Sequence, residues 1–363
     1  MAGSEMRRVC FISGNIGRSG GTERVTTIVA SALAERGFDV SILSMIHGET
    51  SHFPLNPAVR LHSLHLEGYS ANFSDFRIWS RLRRFLKREA IERIVDVDTG
   101  ASWSSIPAAW GTDAKVFAWE HFHLFANVGD WPQRLRRSAG RRLAAHWAAA
   151  VVTLTEKDRR QYLTNLHCHA PVVAIPNPVT IAHRERARLD ARLVLAAGRL
   201  VSQKGFDMLL EAWAQISPRH PEWQLRIVGS GPDEVLLKSQ ATRLNIVEGV
   251  EFAPNTIDMA SEFQSASIFA CSSRFEGFPL VIVEAKSFGL PVVSFDCDCG
   301  PSDILRHEED GLLAPKEDVQ ALGAALDRLM SNEKERKAFG RRAIEDRRFD
   351  LDRVLPLWQR LLA

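Results

Sequence analysis

Short apolar segments alternate with amphipathic segments along nearly the whole chain, and this alternation restricts the possible folds more than any other feature. An apolar segment at 8–13 is followed by a glycine-rich loop and by a helical pattern from about 22 to 36. A strand pattern at 39–43 comes next, as in a parallel β-α-β unit. The same order begins again at 193–198, before a helical pattern at 207–216. The sequence therefore predicts two doubly wound α/β domains.

The positions of the linkers suggest where these domains meet along the chain. A length of 363 residues leaves room for two domains of roughly 150 residues each. Two prolines and the charged segment 184–188 interrupt the alternation. We expect an N-terminal domain at 1–180, a C-terminal domain at 181–345, and a terminal apolar helix within 346–363 that packs back on the N-terminal domain.

Composition narrows the class of protein. The chain has 46 Lys and Arg against 44 Asp and Glu, 45% hydrophobic residues and a net charge of +2, which argues against nucleic-acid binding and against disorder. Five cysteines without a C-x-x-C pair argue against a disulfide framework. The pair Cys297 and Cys299 is weak support for a metal, so we expect no metal site. Because no apolar run reaches 18 residues, we expect a cytoplasmic protein without a membrane span.

Two carboxylates, Glu276 and Glu284, flank the segment Gly277-Phe278-Pro279. Pro279 fits the first turn of a helix, so Glu276 should lie in a loop and Glu284 in the second helical turn. A helix N-terminus favours an anion such as phosphate, whereas carboxylates accept hydrogen bonds from sugar hydroxyls. The pattern indicates a site for a phosphorylated sugar or a nucleotide sugar. Two solvated acids at a helix end remain the alternative.

Cations and glycines follow other predicted strands. Arg199 and Lys204 lie in one loop after the strand at 193–198, where they could clamp a diphosphate. Gly20 and Gly21 allow close approach to a ligand, or simply a tight turn. Their spacing is not G-x-G-x-x-G, so dinucleotide binding is not expected.

A histidine and two basic stretches complete the candidate residues. His121 comes just after the predicted strand 115–119, at the end of a strand where open α/β sheets bind ligands. Arginines recur at helical spacing over Arg77–Arg88, and a second group of arginines over Arg134–Arg142 lies in a segment without acids between Asp130 and Glu156. Such stretches suit an anionic membrane surface or a polyphosphate ligand, and a solvated polar face is the alternative.

Together these motifs resemble the family-4 retaining glycosyltransferases, which have the GT-B fold of two Rossmann-like domains facing a central cleft. The resemblance covers essentially the whole chain. It rests chiefly on Glu276 and Glu284 within 273–285 and on Arg199 and Lys204 within 197–207. Supporting segments are 20–24, 120–121, 176–178, 228–232 and 311–313.

The resemblance implies a role for each residue at the donor site. Arg199 and Lys204 would hold the donor's diphosphate, and Glu284 would accept from the ribose hydroxyls. Glu276, with Gly277 and the amides around Phe278 and Leu280, would hold the donor hexose. Gly20 and Gly21 would approach the phosphates, and His121 would lie near the transferred sugar. Glu276, His121, Arg199 and Lys204 are thus the expected catalytic group.

The resemblance also implies a reaction without a metal or cofactor. The segment 294–301 is similar to the bacterial branch that builds surface polysaccharides and lipid-linked oligosaccharides. The expected donor is a UDP-linked hexose or N-acetylhexosamine, and the expected acceptor is a glycan or a polyprenyl-diphosphate-linked sugar. The enzyme would work in the cytoplasm, peripherally at the inner face of the membrane. A GDP- or ADP-sugar transferase, a sugar-nucleotide epimerase and an inactive interaction subunit are the alternatives.

Overall fold

The apolar segments form parallel strands and the amphipathic segments form the helices around them. The computed structural model of the protein describes residues 7–66, 76–125, 129–181 and 185–363. The chain divides into a first unit, Met1–Thr180 with Leu351–Ala363, and a second unit, Ile181–Asp350. In the described ranges no helix is long and apolar enough to cross a membrane.

The strands of the first unit are largely buried, as expected for a parallel sheet covered on both faces. They are β1 (Arg8–Ser13), β2 (Asp39–Ser44), β3 (Arg60–Ser63), β4 (Arg93–Val97), β5 (Lys115–Trp119), β6 (Ala150–Thr153) and β7 (Val172–Ala174). They pair in parallel in the order β3-β2-β1-β4-β5-β6-β7. The strand order reverses between β1 and β4, which we call the first switch point. Open α/β sheets bind ligands at the carboxyl ends of the strands at such a point.

Helices cover this sheet, and the last helix of the chain belongs to the same unit. They are α1 (Gly21–Glu35), α2 (Phe76–Arg88), α3 (Ser102–Ala109), α4 (Trp131–Trp147), α5 (Glu156–Asn165) and α13 (Leu351–Leu362). Trp358 on α13 is fully buried, and its ring lies 4.7 Å from that of Trp119 on β5. The buried Arg93 side chain donates to the Leu362 carbonyl at 3.3 Å.

Helix α2 covers the predicted arginine stretch and ends at Arg88. Ala90 adopts φ +48°, a left-handed conformation that stops a helix. The Ile91 N–H then bonds back to the Leu86 carbonyl at 2.9 Å, which closes the last turn.

The second unit repeats the architecture of the first. Its strands are β8 (Leu193–Ala197), β9 (Gln224–Val228), β10 (Val250–Ala253), β11 (Ile268–Cys271), β12 (Val292–Asp296) and β13 (Gly311–Pro315). They pair in parallel in the order β10-β9-β8-β11-β12-β13, so the second switch point lies between β8 and β11. The helices are α6 (Phe206–Ile216), α7 (Glu234–Arg243), α8 (Met259–Ser265), α9 (Leu280–Ser287), α10 (Pro301–Ile304), α11 (Val319–Ser331) and α12 (Glu333–Glu345).

Helix α12 has a highly charged sequence. Its apolar stripe is narrow, because only Phe339 and Ala343 supply buried hydrophobic side chains. The buried Arg336 side chain, which donates to the Leu189 carbonyl at 3.0 Å, completes the buried face. A stripe that includes an arginine escapes a search for hydrophobic periodicity.

Candidate functional site

The loop after β8 lies against the loop after β11, at the second switch point. Gly205 has φ +63°, and a Cβ atom there would lie 2.0 Å from the Ser272 carbonyl oxygen. Only glycine satisfies this conformation and this close approach together. The Ser272 hydroxyl donates to the Lys204 carbonyl at 3.0 Å. The backbone therefore fixes Lys204 beside the loop that carries Glu276.

Lys204 and Glu276 form an ion pair in this position. Lys204 Nζ lies 2.6 Å from Glu276 Oε1, and the Ser273 hydroxyl donates to the same oxygen at 2.6 Å. Burial acts to lower the pKa of Lys204, but the charge and hydrogen bond of Glu276, together with other nearby groups, leave this pKa raised. Lys204 therefore remains charged at neutral pH, and its ammonium group lies beside the Glu276 carboxyl group at the switch point.

Helix α9 begins next to this pair. Pro279 is its N-cap residue and Leu280 its first helical residue, while Glu284 is buried in its second turn. The first N–H groups of a helix have no partner within the helix, and its dipole favours an anion there. Phe278 is buried, with its ring 5.8 Å from that of Phe349. Gly277 connects Glu276 to this buried ring and is itself partly exposed.

Arg199 stands at the start of the loop after β8. Its side chain is exposed, and it makes no ion pair or hydrogen bond with the part of the chain that the structure describes. The structure therefore brings Lys204 and Glu276 into contact but leaves Arg199 apart from both. An exposed, unpaired guanidinium near the carboxyl end of β8 is available to an anionic ligand.

Gly20 and Gly21 start helix α1 in the first unit. Gly20 is the N-cap residue and Gly21 the first helical residue. A Cβ atom on Gly20 would lie 2.2 Å from Glu23 Oε2, so the missing side chain makes room for this carboxylate. Burial raises the pKa of Glu23. The glycine loop is thus a place of close approach, and the group nearest to Gly20 is an acid of its own helix.

His121 follows β5 and is buried, with 8% of its surface exposed. Burial lowers the pKa of His121 to about 4, so the imidazole is neutral at neutral pH. Its ring lies 4.3 Å from the Trp119 ring. Its Nε2 atom has no hydrogen-bond partner among the residues that the structure describes. A buried neutral imidazole with an open nitrogen can donate to, or accept from, a ligand.

The residue before His121 is the centre of a buried polar network. The Glu120 carboxylate accepts from Arg141 Nε at 2.6 Å and from Thr99 Oγ1 at 2.8 Å. The Tyr162 hydroxyl also donates to it. Burial alone would raise the pKa of Glu120, but the Arg141 guanidinium and the hydrogen bonds from Tyr162 and Thr99 together lower this pKa to about 2. Glu120 is therefore a buried, charged partner of α4.

The same network fixes the backbone around His121. Glu120 Oε1 accepts from the Phe122 N–H at 3.1 Å. Arg141 donates to the carbonyl groups of His123 at 3.0 Å and Leu124 at 2.6 Å. These bonds support the backbone of the segment after β5, so the network helps to position the histidine.

This network corrects the prediction for the arginines of α4. The stretch Arg134–Arg142 was expected to face an anionic partner as a whole. Arg141 instead pairs with Glu120, and Arg137 pairs with Asp98 at 3.0 Å. Both acids come from earlier segments of the chain, and the signal for burial is that Arg141 shares a helix face with buried alanines.

The membrane-surface interpretation of the α2 arginines stays a prediction, and one of them, Arg88, pairs with Glu89 at 2.8 Å. The side chains of Arg77, Arg81, Arg84 and Arg88 are exposed along one face. Arg83 is not part of that face, because it donates to the carbonyl groups of α3 at 2.9 and 3.1 Å.

Among the described residues no cluster of His, Cys, Asp and Glu could hold a metal ion.

Comparison with known proteins gives consistent matches over both units. Residues 180–346 match the family described as "Glycosyl transferases group 1", and residues 20–178 match the "Glycosyl transferase 4-like domain". An uncharacterized glycosyltransferase of Haemophilus influenzae is 35% identical over 90% of this chain and 91% of its own length. AmsD of Erwinia amylovora, named as an amylovoran biosynthesis glycosyltransferase, is 25% identical over 98% of this chain and 100% of its own length.

Solved structures share the fold. TarM has a TM-score of 0.84 at 12% identity, over 100% of both chains. HepE of Anabaena, solved in complex with UDP, has a TM-score of 0.78 at 18% identity, over 98% of this chain and 99% of its own. Both are GT-B glycosyltransferases with two parallel-sheet Rossmann-like domains. The two family matches and these relatives show that the chain belongs to the glycosyltransferases of group 1. It has a glycosyl transferase 4-like N-terminal domain and the GT-B fold.

Proposed function

We propose that this glycosyltransferase moves a hexose or N-acetylhexosamine, with retention of configuration, from a UDP-sugar to a hydroxyl of a glycan or lipid-linked acceptor. The process would be the synthesis of a bacterial surface polysaccharide, in the cytoplasm. AmsD, which is named for amylovoran biosynthesis, supports this assignment. A Campylobacter jejuni relative, 24% identical over 99% of both chains, is named as an N-acetylgalactosaminyltransferase acting on an undecaprenol-diphosphate-linked glycan.

The observation that carries the proposal is the Lys204–Glu276 pair at the second switch point. A nucleotide sugar needs cations for its diphosphate and acceptors for its hydroxyls, and the pair offers one of each at 2.6 Å. Arg199 and the N-terminus of α9 add positive potential for the diphosphate. Glu284 would accept hydrogen bonds from the ribose hydroxyls. Glu276 would accept from the hexose hydroxyls, while the backbone N–H groups of Gly277 and around Phe278 and Leu280 would donate to the hexose.

The reaction would be a front-face substitution. The bond between the sugar's anomeric carbon and the diphosphate oxygen breaks, the acceptor oxygen bonds to that carbon from the same face, and the acceptor's proton passes to a diphosphate oxygen. Arg199, Lys204 and the α9 N-terminus would stabilise the charge on the departing diphosphate, which is the task a metal ion performs in other transferases. His121 would act as a neutral hydrogen-bonding group for the transferred sugar. Gly20 and Gly21 would let the backbone come close to the ligand.

Binding of the donor can be tested by thermal unfolding with UDP-, GDP- and ADP-sugars. A ligand at a hundred times its dissociation constant adds about 2.7 kcal/mol of stability, so UDP-sugars should raise the midpoint most. The variant Glu284→Ala should lose most of this increase, because the ribose contact is removed. A larger increase with GDP- or ADP-sugars would contradict the choice of base. Conversion of the donor into an isomer without acceptor would indicate an epimerase instead.

We also propose that helix α2 binds an anionic membrane surface, peripherally. Arg81, Arg84 and Lys87 are exposed and pair with no acid in the described part of the chain. On α4, Arg134 and Arg142 are exposed in the same way, and Trp131 is 72% exposed. Basic residues beside an exposed tryptophan are typical of membrane-surface segments.

Vesicle sedimentation tests this surface. Each basic residue near an anionic surface contributes about 1 kcal/mol, so Arg81→Glu with Arg84→Glu should weaken binding to phosphatidylserine vesicles at least tenfold. Added salt should weaken binding of the native protein. Arg36→Glu, an exposed substitution at the end of α1, serves as the matched control. Equal binding to neutral vesicles, or an equal loss in the control, would contradict the proposal.

A further inference from the structure

A pocket of about 320 Å³ lies within the first unit, at the first switch point. Its walls come from the segments after β1 and β4, from the first turn of α1 and from the N-terminal half of α4. This is the position at which open α/β sheets bind ligands. The volume is at the lower end of the range for ligand pockets, so it suits one sugar unit with a substituent.

The acids of this pocket are Glu23 and Asp98. Both carboxylate oxygens of Asp98 already accept hydrogen bonds within the protein. Oδ1 accepts from the Gly100 N–H at 2.9 Å, and Oδ2 accepts from Arg137 at 3.0 Å. Glu23 projects from the first turn of α1, in the space that Gly20 leaves open. A carboxylate at a ligand-sized pocket is an acceptor for sugar hydroxyls.

The cations of the pocket outnumber the acids. Three arginines, Arg18, Arg136 and Arg137, stand against Glu23 and Asp98. Arg137 is engaged by Asp98 and lies 4.4 Å from the centre of the Phe122 ring. The Arg18 side chain is exposed and makes no hydrogen bond or ion pair with the residues that the structure describes, although its charge acts on Glu23. The surplus positive charge therefore includes a guanidinium that is open to a ligand.

We propose that this pocket binds the acceptor through a sugar that carries an anionic group, either a phosphate or a carboxylate. Arg18 holds the anionic group, with Arg136 contributing from α4, and Glu23 accepts from the hydroxyls of the ring. A guanidinium binds both kinds of anion in the same bidentate way. The inference rests on the proposed transferase function and goes beyond it, because it names the acceptor's class and the residues that select it.

Binding of three hexose probes tests this inference. Glucose 1-phosphate, glucuronate and methyl glucoside are titrated in turn against the whole protein, with binding followed by saturation-transfer NMR. Saturating UDP is present, so that the sugar phosphate cannot report on the second unit. The charged probes should bind at least tenfold more tightly than methyl glucoside, because hydrogen bonds to charged groups are the stronger ones. Preference for one charged probe over the other identifies the anionic group.

Two variants show whether the probes bind in this pocket. Arg18→Ala should weaken the charged probes about tenfold and leave methyl glucoside unchanged, while Arg36→Ala, at the far end of α1, should change neither. Equal binding of the three probes, no binding at all, or an Arg18→Ala variant that binds like the native protein would each overturn the inference. Binding of UDP is measured in parallel. If UDP fails to bind, the proposed donor is wrong. The effect of Arg18→Ala on binding of the charged probes still shows whether they bind in the pocket.

Discussion

Replacing Glu276 by alanine should reduce sugar transfer by about 10²–10³-fold while UDP binds at least as tightly as before. The carboxylate that would hold the donor hexose is removed, which explains the loss of transfer. At the same time Lys204 loses its partner at 2.6 Å and its charge becomes fully available to the diphosphate. Isothermal titration with UDP and a radiochemical transfer assay measure the two effects separately.

Two further variants make this result specific. Glu276→Gln retains an oxygen for the Ser273 hydroxyl, so it should keep the loop in place and still lose transfer. Glu222→Ala, an exposed substitution in the second unit, should affect neither quantity. A fall in UDP affinity of more than tenfold in Glu276→Ala would show that Glu276 supports the nucleotide rather than the hexose. The division of roles between Glu276 and Glu284 would then be wrong.

Replacing Arg141 by alanine should destabilise the first unit by about 3–5 kcal/mol. The substitution leaves the Glu120 carboxylate buried without its guanidinium, and it also removes the bonds to the backbone after β5. Urea unfolding, followed by the intrinsic tryptophan fluorescence of the protein, measures the change. Because the histidine segment loses its support, transfer should decline as well, even at temperatures where the protein remains folded.

The neighbouring residue provides the control. Arg142 is exposed, so Arg142→Ala should change the free energy of unfolding by no more than about 0.5 kcal/mol. Combining Arg141→Met with Glu120→Leu should recover much of the stability, because an apolar pair of similar volume often replaces a buried ion pair without loss. It should not recover transfer. If Arg141→Ala and Arg142→Ala unfold alike, the buried network contributes no net stability.

Elements with strong local signals are predictable from the sequence to within a residue or two. Helix α1 was expected at 22–36 and lies at Gly21–Glu35. Pro279 was expected at the start of a helix and is the N-cap residue of α9. In both cases glycine or proline sets the boundary, and an apolar pattern defines the element.

Contacts between distant segments could not be predicted in this way. Lys204 and Glu276 were assigned to different parts of the donor, yet they touch across 72 positions of sequence. That contact depends on β8 and β11 being neighbours in the sheet, which periodicity does not reveal. The partners of Arg137 and Arg141 were missed for the same reason, since Asp98 and Glu120 lie on other elements.

Helix α4 has a consequence for protein engineering. Its N-terminal half, with Gln133, Arg136 and Arg137, lines the pocket of the first unit. One turn further along the helix, Arg141 pairs with Glu120 and supports the segment after β5 that contains His121. Chimeras between related enzymes should therefore exchange only the first two turns of α4, leaving the rest of the helix native. Such an exchange would vary the residues that line the pocket and would keep the hydrogen bonds of Arg141 that support the segment after β5.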